Sequence, residues 1–232
     1  MNFKGIHKTS LVDFPGKLST VLFAGGCNLN CRYCYNPELV NNNKELETLK
    51  VPDILSFLKK RQALIQGVVI SGGEPTLLKN LDKFIESVKE ISLAVKIDTN
   101  GLNPDIIQTL LQKGLVDYIA IDIKTSPEKY ESLTRKKNVD FSLIKKTIDH
   151  VKKSGVDYEI RTTCIPDYIT LDDFKSIKKE LGSVKKYFLQ QFVNKMTLDP
   201  DMQKKTPYPV SVLNSFKEFV ITFAEHCELR GV

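Results

Sequence analysis

No uninterrupted apolar run in the 232 residues approaches the ~18–20 that a membrane span needs, so no membrane association is expected. The opening residues, Met1-Asn2-Phe3-Lys4-Gly5-Ile6-His7, lack the charged-then-apolar pattern of a secretory signal, which points to a cytoplasmic protein. Cysteine is scarce and odd in number: five residues cannot form the even framework that staples a small secreted scaffold. No internal repeat, low-complexity tract or linker-like stretch interrupts the chain, so a single domain over 1–232 is expected. A strong excess of one charge is also missing. The 34 basic and 28 acidic residues leave +6, spread through pairs such as Lys59-Lys60, Lys145-Lys146 and Lys178-Lys179. Such pairs read as the solvated faces of amphipathic helices, and no nucleic-acid partner is expected. What remains, 41% apolar and 27% charged, is the balance of a soluble globular protein long enough to bury a sizeable core.

Short apolar runs alternate with longer helical patterns, which signals repeated βα units and a parallel sheet. The spacing predicts strands at 18–24, 67–71, 93–98, 117–123, 156–163 and 185–191. Between them, Ile54, Leu58 and Ile65 repeat at helical spacing after Pro52, and Phe141, Ile144, Ile148 and Val151 share one face. Val212, Phe216, Phe219, Val220 and Phe223 do the same near the end. The fold expected is α/β: a partial (βα)6 TIM-like barrel of parallel strands, with an open doubly wound sheet as the competitor. Residues 2–16 form a short N-terminal extension, read as an extended flap. Asn194 to Pro209 reads as a long loop before the last helix, the two together making up 194–232.

Three of the cysteines stand together in Cys27-Asn28-Leu29-Asn30-Cys31-Arg32-Tyr33-Cys34, just after the first predicted strand and Gly25-Gly26. Three thiolates in one tight loop can wrap a cluster face, leaving one iron of a 4Fe-4S cubane open to a small molecule. The alternatives are three reduced cysteines, or a structural zinc site completed by His7 or Cys164. Cys164 and Cys227 are distant in sequence, and neither belongs to a second ligand pair.

Further polar groups fall at successive predicted strand ends: Ser71-Gly72-Gly73-Glu74-Pro75, Asp98-Thr99-Asn100-Gly101, Asp122-Ile123-Lys124 and Arg161-Thr162-Thr163. Each alone is an ordinary turn, cap or surface group. Together, after a C-x3-C-x-(aromatic)-C loop covering 25–37, they resemble the radical S-adenosylmethionine superfamily. Ser10-Leu11-Val12-Asp13-Phe14-Pro15-Gly16 and Tyr35-Asn36-Pro37-Glu38 resemble the glycyl-radical-enzyme activases within it, the short chain most of all the anaerobic ribonucleoside-triphosphate reductase activating proteins. Pyruvate formate-lyase activating enzymes have a similar Asp-Thr-Asn-Gly and Asp-x-Lys pattern. Two departures stand out. Gly16 is followed by Lys17-Leu18 where activases commonly have Gly-x-Arg, and Leu189-Gln190-Gln191-Phe192-Val193 stands where the pyruvate formate-lyase activator has a histidine.

The resemblance implies one 4Fe-4S cluster on Cys27, Cys31 and Cys34, with S-adenosylmethionine on its open iron. It implies that Tyr33 packs beside the adenine or offers it backbone bonds. Gly72 and Gly73 allow close approach, Glu74 accepts from the cofactor's ammonium, and Lys124 and Arg161 meet its carboxylate. Asp98 or Asp122 takes a ribose, a lysine or a monovalent cation. No side chain need act as acid, base or nucleophile. The implied substrate is a backbone glycine of a partner glycyl radical enzyme, with lysine-rich loops at 125–138 and 194–209 lining the mouth. A flavodoxin or ferredoxin is the implied electron donor. Rival expectations are activation of another such enzyme, including pyruvate formate-lyase, or radical chemistry on a small molecule or peptide. A zinc-stabilised binding module is the non-enzyme rival.

Overall fold

A computed structural model describes residues 1–41, 43 and 45–232. Among the described residues, one eight-stranded sheet sets each strand beside its sequence neighbour, from β1 to β8: β1 (Phe3–Ser10), β2 (Ser19–Ala24), β3 (Gly67–Gly72), β4 (Ala94–Thr99), β5 (Tyr118–Asp122), β6 (Asp157–Cys164), β7 (Val184–Gln191) and β8 (Ala224–Arg230). Strands β2 to β8 are parallel throughout, and β1 lies antiparallel on β2. Sequential parallel neighbours with helical crossovers curl into a barrel wall. Here the wall stays open, with β1 and β8 as its two edges. All the C-terminal ends of β2 to β8 therefore meet at one mouth.

Six parallel strands match the sequence reading to within a residue or two. Their buried runs, such as Val68-Val69-Ile70 in β3 and Ile119-Ala120-Ile121 in β5, face apolar neighbours on both sides of the sheet. Two further strands were not legible. The flap expected at 2–16 is the edge strand β1, followed by a turn. A seventh parallel strand, β8, follows the last helix, so His226 lies on a strand and not in a helix.

The helices α1 (Pro37–Val40), α2 (Val51–Arg61), α3 (Leu81–Glu90), α4 (Pro104–Gln112), α5 (Tyr130–Thr134), α6 (Phe141–Ser154), α7 (Leu171–Leu181) and α8 (Val210–Val220) fill the connections. Their ends follow local chemistry. In α6, Asp140 accepts from Ser142 N–H at 2.9 Å, and Gly155 stops the helix at φ 76°. A reciprocal cap between Thr170 and Asp173 opens α7. The apolar stripes of α3 and α6, Phe84, Ile85 and Val88 on one and Ile144, Ile148 and Val151 on the other, are fully covered. No helix among the described residues is long and apolar enough to cross a membrane.

Candidate active site

The cysteine loop leaves β2 at the mouth, and its root is fixed by two glycines across the sheet. Gly73 N–H donates to Ala24 O and Glu74 N–H to Gly26 O, both at 2.8 Å. Gly72 has φ +108°, and a Cβ there would stand 2.6 Å from Ala24 N. A Cβ on Gly73 would stand 2.0 Å from Gly26 O. These glycines permit a close approach, as the sequence suggested, but what approaches is the backbone at the root of the cysteine loop.

Cys27, Cys31 and Cys34 line one cleft of about 230 Å³, together with Tyr33, Gly72, Gly73, Glu74, Asp98, Asp122 and Lys124. Burial pushes the thiols up, Cys27 to about 11 and Cys31 to about 12, and raises Cys34 as well. Leu29 N–H donates to the Cys27 sulfur at 3.4 Å, and the Asn36 backbone bonds to the Cys34 sulfur. Amides aimed at sulfur and a buried lysine nearby suit thiolates that become charged only when they bind metal. Among the described residues, no three His, Cys, Asp or Glu side chains converge closely enough to hold a single ion. Three thiols from one loop, with no fourth cysteine or histidine among the described residues lining the cleft, fit a cluster with one open iron better than a closed four-ligand zinc site. Cys164 ends β6 buried, its S–H directed at Thr162 O at 3.9 Å, and Cys227 is buried on β8. His7 is exposed on β1. None of the three appears with the cysteine loop among the cleft's lining residues.

Glu74 lines the cleft and is also bonded within the chain. Its carboxylate is 1% exposed and directed inward. Oε1 accepts from Thr76 N–H at 3.1 Å, Thr76 Oγ1 at 2.6 Å and Thr99 Oγ1 at 2.7 Å, and Oε2 accepts from Asn100 N–H at 2.8 Å. Burial raises its pKa against these bonds. The side chain staples the end of β3 to the end of β4. Asn100, which sequence reasoning did not single out, carries the staple onward: its Nδ2 donates to Asn28 Oδ1 at 2.7 Å and lies 4.0 Å from the Cys27 sulfur.

Arg161 lies beside the cleft, behind the two aspartates. It lines a second, polar chamber with Lys96, Glu159, Gln190 and Arg230, not the cleft of the thiols. Its Nε donates to Asp122 Oδ1 at 2.7 Å and Nη1 to Asp98 Oδ2 at 3.2 Å. Lys96, 1% exposed, completes Asp98 at 2.5 Å, and Lys124 completes Asp122 at 3.0 Å. Of the ribose, lysine and cation considered for the two aspartates, lysine is what the chain provides. Each aspartate meets two cationic side chains, Arg161 being shared, so the chain itself balances both charges. Burial works against the Asp98 charge, but Arg161 and Lys96 outweigh it and hold its carboxyl below the usual range. The same contest at Asp122, with Arg161 and Lys124, ends further down. Lys124 remains at the cleft, its ammonium 6.0 Å from the Tyr33 ring centroid.

Residues 21–181 match the Radical SAM superfamily. A Methanocaldococcus jannaschii protein that carries the provisional name glycyl-radical enzyme activating enzyme is 36% identical over 88% of this chain and 85% of its own length. Pyruvate formate-lyase-activating enzyme of Clostridium pasteurianum is 32% identical over 77% of this chain and 74% of its own. Among solved structures, Streptococcus suis SuiB bound to precursor peptide SuiA superposes with TM-score 0.69 at 14% identity, over 91% of this chain and 48% of that one. Coproporphyrinogen III oxidase of Escherichia coli gives 0.60 at 16% over 87% and 51%. This chain spans about half the length of these two structures, which speak for the fold alone. The chain belongs to the radical SAM superfamily, an enzyme class that works with a 4Fe-4S cluster and S-adenosylmethionine. Within it, the chain is of the glycyl-radical-enzyme activating type.

Proposed function

We propose that this chain activates anaerobic ribonucleoside-triphosphate reductase by creating a glycyl radical on it. The observation that carries the reading is the convergence of three thiols from one loop with Lys124 and the β3 and β4 ends at a single cleft. A 4Fe-4S cluster held there would supply the low-potential electron for reductive cleavage of S-adenosylmethionine. The chain's own residues bind and shield. Cys27, Cys31 and Cys34 would hold the cluster, and Lys124 would offer its ammonium to the cofactor's carboxylate. Tyr33 and the Gly72–Gly73 backbone wall the cleft from water. Glycine suits the partner's reacting position because no side chain blocks its α-carbon. A low-potential flavodoxin or ferredoxin is the electron donor, and the cytoplasm is where such partners meet.

Support for an activase comes from the Ser10–Gly16 and Tyr35–Glu38 segments, and support for the reductase as its partner from the short chain, which most resembles that reductase's activators. The second reading, activation of pyruvate formate-lyase, draws on the relative from Clostridium pasteurianum. Mixing reconstituted protein with each purified partner and recording electron paramagnetic resonance separates them. A glycine-centred doublet on the reductase is expected. A doublet on pyruvate formate-lyase alone moves the assignment there, and no doublet on either overturns both.

A further inference from the structure

The cysteine loop is gripped from two sides by segments remote in sequence. From α5, Thr134 O accepts from Asn30 N–H at 3.0 Å and Leu133 O from Arg32 N–H at 2.9 Å. From the segment after β7, Leu198 N–H donates to Cys34 O at 2.9 Å and Asp199 N–H to Arg32 O at 2.8 Å. The Asp199 side chain, 6% exposed, adds charge to this backbone pairing. Its Oδ2 accepts from Arg32 Nε and from Arg135 Nη2, each at 2.6 Å, while Oδ1 accepts from Asp201 N–H at 3.1 Å. Arg32 sits between the second and third thiols, and its Nη1 donates onward to Tyr168 Oη at 3.0 Å. The carboxylate thus ties both gripping segments to the stretch that carries Cys31, Tyr33 and Cys34.

We propose that Asp199 is a positioning residue that, through Arg32 and Arg135, locks the three-thiol loop in the conformation that accepts the cluster. This rests on the reading of Cys27, Cys31 and Cys34 as cluster ligands. Two guanidinium groups converge on one covered carboxylate oxygen, a charge-assisted network more directional than a single surface pair. Removing the carboxylate charge leaves Arg32 and Arg135 facing each other across a neutral group, so like charges push the loop from its seat. The four backbone bonds and the Arg32–Tyr168 bond then hold the loop without the charge that ties its two gripping segments together.

The test compares reconstituted wild type, Asp199→Asn and Arg135→Gln. It reads iron release to a chelator, the resonance line shape of the reduced cluster, and the melting temperature of cluster-free protein. Groups that orient metal ligands typically cost ten- to a hundredfold in metal affinity when lost, so Asp199→Asn is expected to release iron about tenfold faster, with a broadened line shape. Arg135→Gln keeps the Arg32 bond, and about a threefold faster release is expected on the same scale. Release within twofold of wild type in both variants overturns the proposal. So does a lowered melting temperature with wild-type release and line shape, which a merely structural contact would give. If Asp199→Asn does not fold, Arg135→Gln, at a half-exposed position, decides alone. Wild type that takes up no iron would overturn the cluster reading instead.

Discussion

Glu74→Gln separates a staple from a cofactor ligand with one substitution of equal size. The native carboxylate takes three donors on Oε1 and one on Oε2. A glutamine can keep its carbonyl oxygen toward Thr76 and Thr99, which turns its NH2 group onto Asn100 N–H. Two donors then face each other where a charge-assisted bond stood. Such a bond is worth roughly 1.5–3 kcal/mol, and a stranded buried donor costs about 1–3 kcal/mol more. Neutralising a buried carboxylate relieves part of this, since burial already raises its pKa. A net loss of about 2–3 kcal/mol is expected, which for this length lowers the melting temperature by roughly 5–10 °C. Circular dichroism melts of cluster-free protein at neutral pH read it directly. Affinity of the reconstituted variant for S-adenosylmethionine, measured by calorimetry, is expected to stay within about threefold, a shift well below one charge-assisted bond. A melting temperature within about 1 °C of wild type, against the shift worked above, would refute the staple. An unshifted melt with affinity down tenfold or more would restore the ammonium contact.

Changing any one of Cys27, Cys31 or Cys34 to Ala is expected to abolish cluster assembly and cofactor cleavage, while Cys164→Ala and Cys227→Ala retain near-normal iron. Colorimetric iron counts after anaerobic reconstitution decide this, and loss of iron from the Cys164 variant would refute it. Thiols raised to about 11 and 12 at Cys27 and Cys31 stay protonated in the cluster-free fold after unfolded thiols, near 8.5, have ionised. Their contribution is full below about pH 8.5 and is lost as pH rises toward those folded values, so melts of cluster-free protein should fall across that alkaline window. Cluster binding releases the same protons, and reconstitution yield should therefore rise from pH 7 to pH 8.5. Lys96→Met leaves Asp98 to Arg161 alone, a broken buried pair expected to cost about 3 kcal/mol in a urea titration. Wild-type cofactor cleavage should not distinguish sodium from potassium buffers, and a requirement for either ion would refute the internal charge balance.

What the sequence disclosed follows from where each signal resides. The six parallel strands it predicted, from β2 to β7, are buried on both faces, so their apolar runs survive in any reading. Strand β8, Ala-Glu-His-Cys-Glu-Leu-Arg, holds no β-branched residue and two acidic ones. Only pairing along β7, from Val184 with Ala224 to Gln190 with Arg230, makes it a strand. The exposed side chains of β1, such as His7 and Lys8, guard a sheet edge and hide it from a pattern search. The cysteine loop was legible because its ligands share eight residues. Glu74 and Arg161 were legible as strand-end groups but their partners within the chain were not, because neighbouring strands decide which side chains meet in the barrel interior. Asp199 gave no signal at all, since Arg32 lies 167 residues away.

A sheet that ends in two free edges has a topological consequence for a substrate anchored at both ends. A closed ring admits a polypeptide only by its tip, from above or below. A split ring, bounded by β1 on one side and β8 on the other, can be entered sideways by the middle of a strand. A glycine loop whose two ends stay rooted in a larger fold has no tip to offer. For the proposed substrate, a way in between β1 and β8 would also be the way out.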